Sequence, residues 1–245
     1  MKKALDILGA LTGKVALPRC SAVIVAAGSS TRMGGVDKIV TEIAGKPMIL
    51  RTAEAFEKNP AVQEIIVVAR EDLRVRVEEI LREGGIAKVK VVVNGGVTRA
   101  ESVNKGLNWC DKKCKLIAIH DGARPLVSQE IITAAITMAA KTGAAVPAMP
   151  VRDTIRVIEG GVGVSTPDRA KLYAMQTPQV FDADLIRAAT INAIQKKIEV
   201  TDDCAAVEQM GMKVNIVAGA EENLKVTTRL DLAVVNALAR RSDGQ

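Results

Sequence analysis

Aromatic side chains are nearly missing from this sequence, which holds two Phe, one Tyr and one Trp in 245 residues. Phe56, Trp109, Tyr173 and Phe181 are too few to build the stacked platform on which single-stranded nucleic acids bind, and the core has to be aliphatic. Histidine is scarcer still, with His120 alone. His120 reads as a core histidine at a strand end, which agrees with there being no Ser/His/Asp set. The four cysteines, Cys20, Cys110, Cys114 and Cys204, lack metal-site spacing, because the Cys110/Cys114 pair has no second pair or histidine nearby. They read as free buried thiols. No apolar run approaches the roughly 18 residues a membrane span needs. The net charge of +6 is spread along amphipathic segments rather than gathered in a block, which suits small phosphates better than a duplex.

What is present is aliphatic: 48% of residues are hydrophobic and 25% charged, enough to bury a core and keep the surface wet. Residues 1–19 form an amphipathic extension. Asp6 interrupts its short apolar stretch and Lys14 and Arg19 follow, unlike a secretory signal, so the chain is expected to work in the cytosol. From Ser21 onward, β-branched runs alternate with helical patterns. This predicts one α/β domain over 20–245, Rossmann-like, with a mostly parallel twisted sheet and helices on both faces. The predicted strands are Ala22–Ala26, Glu64–Ala69, Lys90–Val93, Leu116–His120, Ala144–Ala148 and Val214–Val217, each apolar enough to be buried on both faces. Helix starts are marked by Thr98 with Glu101, by Thr228 with Asp231, and by Ser128 ahead of an apolar run. Between Arg152 and Val164 the rhythm breaks into two short strands about Gly160-Gly161, a hairpin arm at about 150–172.

In an open parallel sheet, ligands bind beyond the carboxyl ends of the strands, and there the sequence carries its small residues. The first strand runs into AAGSSTRMGGVDK, where Gly28 lets backbone approach a ligand and Arg32 and Lys38 supply two charges suited to a triphosphate. The loop fits neither the GxxxxGK[ST] nor the GxGxxG pattern; taken alone, it serves equally as a glycine turn with solvated basic residues. The third strand leads into NGGVTRAESV, with Gly95, Gly96 and Ser102 at a helix start. The fourth ends in HDGARP, which presents Asp121 and Arg124. A carboxylate so placed can hold Mg²⁺ together with substrate phosphates.

AAGSSTRM, GGVTRAESV, HDGARP, PVRDT, TPQVF, TDD and ENLKVT occur in an order and spacing that resemble the 2-C-methyl-D-erythritol 4-phosphate cytidylyltransferase family, over roughly Ser21 to Ala239. The resemblance implies a homodimer formed through the arm. It also implies transfer of CMP from CTP to the acceptor phosphate with release of pyrophosphate. By motif, Arg32, Lys38 and Lys225 would act on the triphosphate, and Ala26, Ala27, Gly28, Gly95, Gly96 and Ser102 would hold the nucleotide. Asp121 would carry the Mg²⁺, or another divalent cation, beside the acceptor. Arg124, Thr177 and Thr201 would face the acceptor, with Thr154 and Arg169 reaching it from the neighbouring subunit. Three positions depart from the family: Ser30 replaces the second loop glycine, Asp37 the proline before the lysine, and Val97 an acidic residue of some members. The alternatives are a cytidylyltransferase for ribitol 5-phosphate or a similar small phosphorylated polyol and, from another class, a non-catalytic nucleotide-binding module. Nucleic acid and membrane are not expected partners.

Overall fold

The chain alternates strands and helices in the computed structural model, which describes residues 18–28 and 37–244. Arg32, Ser30 and the first seventeen residues of the extension lie outside that range. The elements in order are β1 (Cys20–Ala26), a two-residue hairpin of β2 (Glu42–Ile43) and β3 (Lys46–Pro47), α1 (Met48–Glu57), β4 (Val62–Ala69), α2 (Arg74–Glu83), β5 (Val89–Asn94) and α3 (Arg99–Leu107). Next come β6 (Leu116–Asp121), α4 (Gln129–Thr142), β7 (Ala144–Pro150), the arm strands β8 (Val157–Glu159) and β9 (Val162–Ser165), β10 (Tyr173–Met175) and β11 (Gln179–Asp182). The chain finishes with α5 (Ala183–Gln195), α6 (Asp203–Glu208), β12 (Asn215–Ala218) and α7 (Arg229–Ser242).

The sheet order is β10-β7-β11-β6-β1-β4-β5, with β12 paired to β7. Ala145 pairs with both Val180 of β11 and Asn215 of β12, so those strands lie on opposite edges of β7. Strands β1, β4, β5 and β6 are mutually parallel, as is the β7–β12 pair; β10 and β11 run antiparallel to their neighbours. All six predicted strands are present, with no end shifted by more than two residues. The antiparallel β10 and β11 were not among them, because three or four residues beside Pro178 carry too little pattern to read as strands.

Side chains of β1, β4 and β6 divide by the period-two rule between the two faces. Ala22, Ile24, Ile65, Val67 and Ala118 join Phe56, Leu81, Ile132 and Val235 in one core, under α1, α2, α4 and α7. Val23, Ile66, Val68, Ile117 and Ile119 join Val103, Leu107, Ile186 and Val207 in the other, under α3, α5 and α6. Each fully buried aliphatic side chain contributes about 1.5–3 kcal/mol relative to exposure, and this two-sided burial keeps the strand ends in register. The helix starts follow the sequence reading. Thr98 and Thr228 close capping boxes with Glu101 and Asp231, and the Ser128 hydroxyl accepts from Ile131 N.

The arm is shorter than its sequence pattern, since residues 152–156 do not join the ladder and pairing spans only Val157–Glu159 and Val162–Ser165. Gly160 and Gly161, at φ 55° and 82°, make the turn. No helix among the described residues is long and apolar enough to cross a membrane. All four cysteines are free and buried.

Candidate active site

Strand order reverses about β1: the chain passes to β4 and β5 on one side and returns to β6 on the other. The crevice beyond the carboxyl ends of β1 and β6 is therefore the topological switch point where such sheets bind ligands. A cleft of about 430 Å³ opens there, lined by Ala26, Ala27 and Gly28 after β1, Lys38, Gly96 to Arg99, Ser102, Asp121 and Lys225, among others. The sequence-predicted nucleotide residues are thus brought together, with Gly95 just behind the wall.

Asp121 closes β6 at the floor of the cleft, its side chain only 9% exposed. Arg99 Nη1 reaches its Oδ1 at 3.0 Å, Lys225 Nζ its Oδ2 at 2.9 Å, and Arg124 Nε the same oxygen at 3.5 Å. Burial alone would raise the carboxyl; Arg99, then Lys225 and Arg124, outweigh it and hold Asp121 well below the usual carboxylate range. It is ionised at any physiological pH. Arg99 also meets Asp203 at 2.6 Å, so it spans two carboxylates that keep it protonated against its own burial. Burial pushes Asp203 up while Arg99 pulls it down. Neither Arg99 nor Asp203 was singled out from sequence, although both sit inside the quoted GGVTRAESV and TDD motifs. Their 104-residue separation gives no local cue that they meet.

Behind Asp121 runs a buried relay. Its N–H donates to Thr177 Oγ1 at 3.1 Å, the Thr177 hydroxyl lies 3.0 Å from His120 Nδ1, and His120 Nε2 lies 3.1 Å from the Arg124 carbonyl. Since a carbonyl can only accept, Nε2 carries the proton and Nδ1 accepts from Thr177. The ring packs on Phe56 at 4.9 Å, and burial pushes its pKa down to about 4. His120 is the satisfied core histidine its sequence position predicts. Thr177 is buried with its hydroxyl already engaged, and Arg124 is buried with Nη1 on Asn223 O at 2.7 Å. Both brace the floor.

The ENLKVT loop is stitched to that floor: Asn223 donates to Thr177 O, Val226 N to Ala123 O, and Lys38 Nζ to Val226 O at 3.1 Å. This brings Lys38 and Lys225 to one side of the cleft. On the other side, a Cβ on Gly95 would fall 2.4 Å from that of Ala27, so only glycine allows the two strand-end loops to approach. The Gly96 N–H donates to Ser102 Oγ, and those of Val97 and Thr98 to Glu101 Oε2. This loop is held stiff by a carboxylate and is no place for a phosphate.

Asp121 is the one carboxylate lining the cleft, and no group of three or more His, Cys, Asp or Glu among the described residues is placed to hold a metal. Mg²⁺ commonly takes one or two carboxylates and completes its shell with substrate phosphates. Asp121 fits an ion that arrives with a triphosphate. Thr201 is exposed ahead of α6, and Thr154 and Arg169 are exposed on and after the arm, where Arg169 donates to Arg152 O at 2.7 Å. None of these three lines the cleft of the single chain.

A doubly wound sheet whose switch point joins a stiff glycine loop to lysines around an aspartate is the build of a nucleotide-binding α/β protein. The family model for 2-C-methyl-D-erythritol 4-phosphate cytidylyltransferase matches residues 20–241. The enzyme of that name from Caldanaerobacter subterraneus subsp. tengcongensis is 44% identical over 224 residues, covering 90% of this chain and 99% of the relative. Among solved structures, the 4-diphosphocytidyl-2C-methyl-D-erythritol synthase of Anaerococcus prevotii superposes with a TM-score of 0.81 at 32% identity, covering 91% of this chain and 96% of that one. The cytidylyltransferase of Thermus thermophilus gives 0.74 at 30% identity over 89% and 98%. The chain belongs to the 2-C-methyl-D-erythritol 4-phosphate cytidylyltransferase family.

Proposed function

We propose that this chain transfers CMP from CTP to 2-C-methyl-D-erythritol 4-phosphate, releasing pyrophosphate and giving 4-diphosphocytidyl-2-C-methyl-D-erythritol. The observation that carries the reading is the meeting of Lys38, Lys225 and Arg99 about Asp121 at the switch point. An acceptor phosphate oxygen attacks the α-phosphorus of CTP, and the bond to the departing pyrophosphate breaks in line.

The nucleophile is already ionised, so no general base is required, and the one imidazole is buried and engaged at both nitrogens. The barrier is electrostatic: two anions must approach, and charge must be steadied on the α-phosphate and the leaving group. Lys38 and Lys225 supply positive charge for this, and Arg32, which lies outside the described residues, is the third cation that the family motif leads us to expect. The carboxylate-capped Gly96–Thr98 loop and Ser102 suit base and ribose, which leaves the triphosphate to the lysine side. Asp121 would hold Mg²⁺ brought in with the triphosphate, and the ion would supply charge neutralisation and Lewis acidity there.

The reading extends to a homodimer. The arm exposes Ile155, Val157, Ile158, Val162 and Val164, an apolar ribbon that a symmetric second copy would cover. In such a dimer Thr154 and Arg169 would approach the partner's acceptor.

The test is pyrophosphate release by purified protein with CTP and Mg²⁺, offered methylerythritol 4-phosphate and ribitol 5-phosphate separately. Release with only the former is expected. Release with only the latter would move the chain to polyol activation, and silence with both, despite CTP binding, would make it a nucleotide-binding module. Arg32→Ala and Lys38→Ala should each lose about 10²- to 10³-fold in kcat with the fold intact.

A further inference from the structure

We propose that Asp37 and Arg70 form a strap that sets the position of Lys38, an inference that rests on Lys38 acting on the phosphates. Arg70 directly follows the last residue of β4 and so stands on the rigid sheet. Its guanidinium is forked on Asp72, with Nε 2.6 Å from Oδ1 and Nη2 2.7 Å from Oδ2. The same Nη2 lies 2.7 Å from Asp37 Oδ2, the residue immediately before Lys38. Asp72 thus aims the arginine, and the arginine holds Asp37 against the end of the central sheet.

Asp37 in turn fixes the backbone on both sides of the lysine. Its Oδ1 accepts from Ile39 N at 3.3 Å and its carbonyl from the Thr41 hydroxyl at 2.9 Å. Ile39 is buried, and its carbonyl accepts from Ile49 N at 3.0 Å, which ties the turn to α1. Lys38 therefore leaves a turn clamped from the sheet on one side and from a core helix on the other, with its ammonium on Val226 O. No strand ladder includes residues 37–41. The strap and these turn bonds supply the rigidity that a ladder would otherwise give.

Arg70 is a third exposed, so its ion pairs contribute little to global stability. Displacing a charged donor by an ångström costs a reaction as much as about 100-fold. A positioning role and a merely structural one are therefore separable.

The experiment compares Asp37→Asn, Arg70→Met, their double variant, Arg70→Lys and Lys38→Ala by steady-state pyrophosphate release and thermal unfolding. Asp37→Asn keeps the Ile39 cap and removes only the charge. Each single variant is expected to lose roughly 10- to 100-fold in kcat, with little change in KM for CTP and an unchanged melting temperature. The double should be no worse than the poorer single, as for one shared device, and Arg70→Lys should recover part of the loss. Wild-type kcat in both singles, beside an impaired Lys38→Ala, would overturn the strap. An impaired Arg70→Met with a normal Asp37→Asn would overturn it too, by showing that Arg70 acts on the ligand directly. Wild-type turnover in Lys38→Ala would remove the reading of Lys38, and the strap with it.

Discussion

Between pH 7 and pH 5, acidification should weaken this fold mainly through His120. Its ring is fully buried against Phe56 between the Thr177 hydroxyl and the Arg124 carbonyl, so a second ring proton at Nδ1 would have to turn the Thr177 hydroxyl proton away. Burial is the main cause of its depressed pKa. The hydrogen bond to the Arg124 carbonyl and the Asp121 charge oppose the shift, and the Arg124 and Lys225 charges add to it, for a folded value of about 4 against 6.5 unperturbed. The unfolded chain therefore takes up a proton, and the folded one does not, between those two values. Stability is full above about pH 6.5 and falls as the pH drops toward 4. The integrated loss between pH 7 and pH 5 is about 2 kcal/mol. With an m-value of about 3 kcal/mol/M, that lowers the urea midpoint by roughly 0.7 M.

Asp203, raised by burial, contributes with the opposite sign at the acid end of this window. Comparison with His120→Gln, whose amide can accept from Thr177 and donate to Arg124, cancels that contribution. The variant should lose markedly less stability over the same pH range. Because the chain has a single histidine, its imidazole resonance can be followed without assignment. Titration in the native protein near 6.5, or equal pH dependence in the two proteins, would refute the reasoning.

Asp203→Ala should lower the melting temperature, because it leaves Arg99 with Asp121 alone in a part-buried site, a loss of about 1–3 kcal/mol. Calorimetry beside Asp203→Asn measures how much of that belongs to the charge. Gly95→Ala should raise KM for CTP with a smaller effect on kcat, since the new methyl must push Ala27 out of the nucleotide wall; an unchanged KM would count against that wall. A thiol reagent at pH 8 should label none of the four cysteines quickly and all four in denaturant, because each is buried and burial pushes Cys110, for one, up to about 12.

Much of the sheet was legible because its central strands are buried on both faces and so read as unbroken apolar runs, CSAVIVA in β1 and LIAIHD in β6 the plainest, whereas β5 and β12, expected to be buried on both faces too, are only partly covered. The capping boxes at Thr98 and Thr228 were legible because their donors and acceptors lie three residues apart. Strands β10 and β11 were not, since their antiparallel place between β6 and β7 depends on partners that no local pattern announces. The candidate site divides the same way. Ala26, Gly28, Gly96, Ser102, Asp121 and Lys225 lie in motifs at strand ends and converge in the cleft. Arg99 as a bridge, and the relay through Thr177 and His120, came only with the coordinates.

By itself, the sequence determined the α/β class, the rim on which ligand residues gather, and the family. These follow from periodicity, from glycines where backbones must approach, and from ordered motifs, all properties written along the chain. The tertiary structure decided which charges meet. Asp121 became a carboxylate held by three cations, Arg124 and Thr177 became braces beneath it, and Asp37 came to rest on Arg70. The physical reason is that electrostatic energy depends on separation and burial in space. Residues as far as 104 positions apart acquire both only when the sheet closes around them.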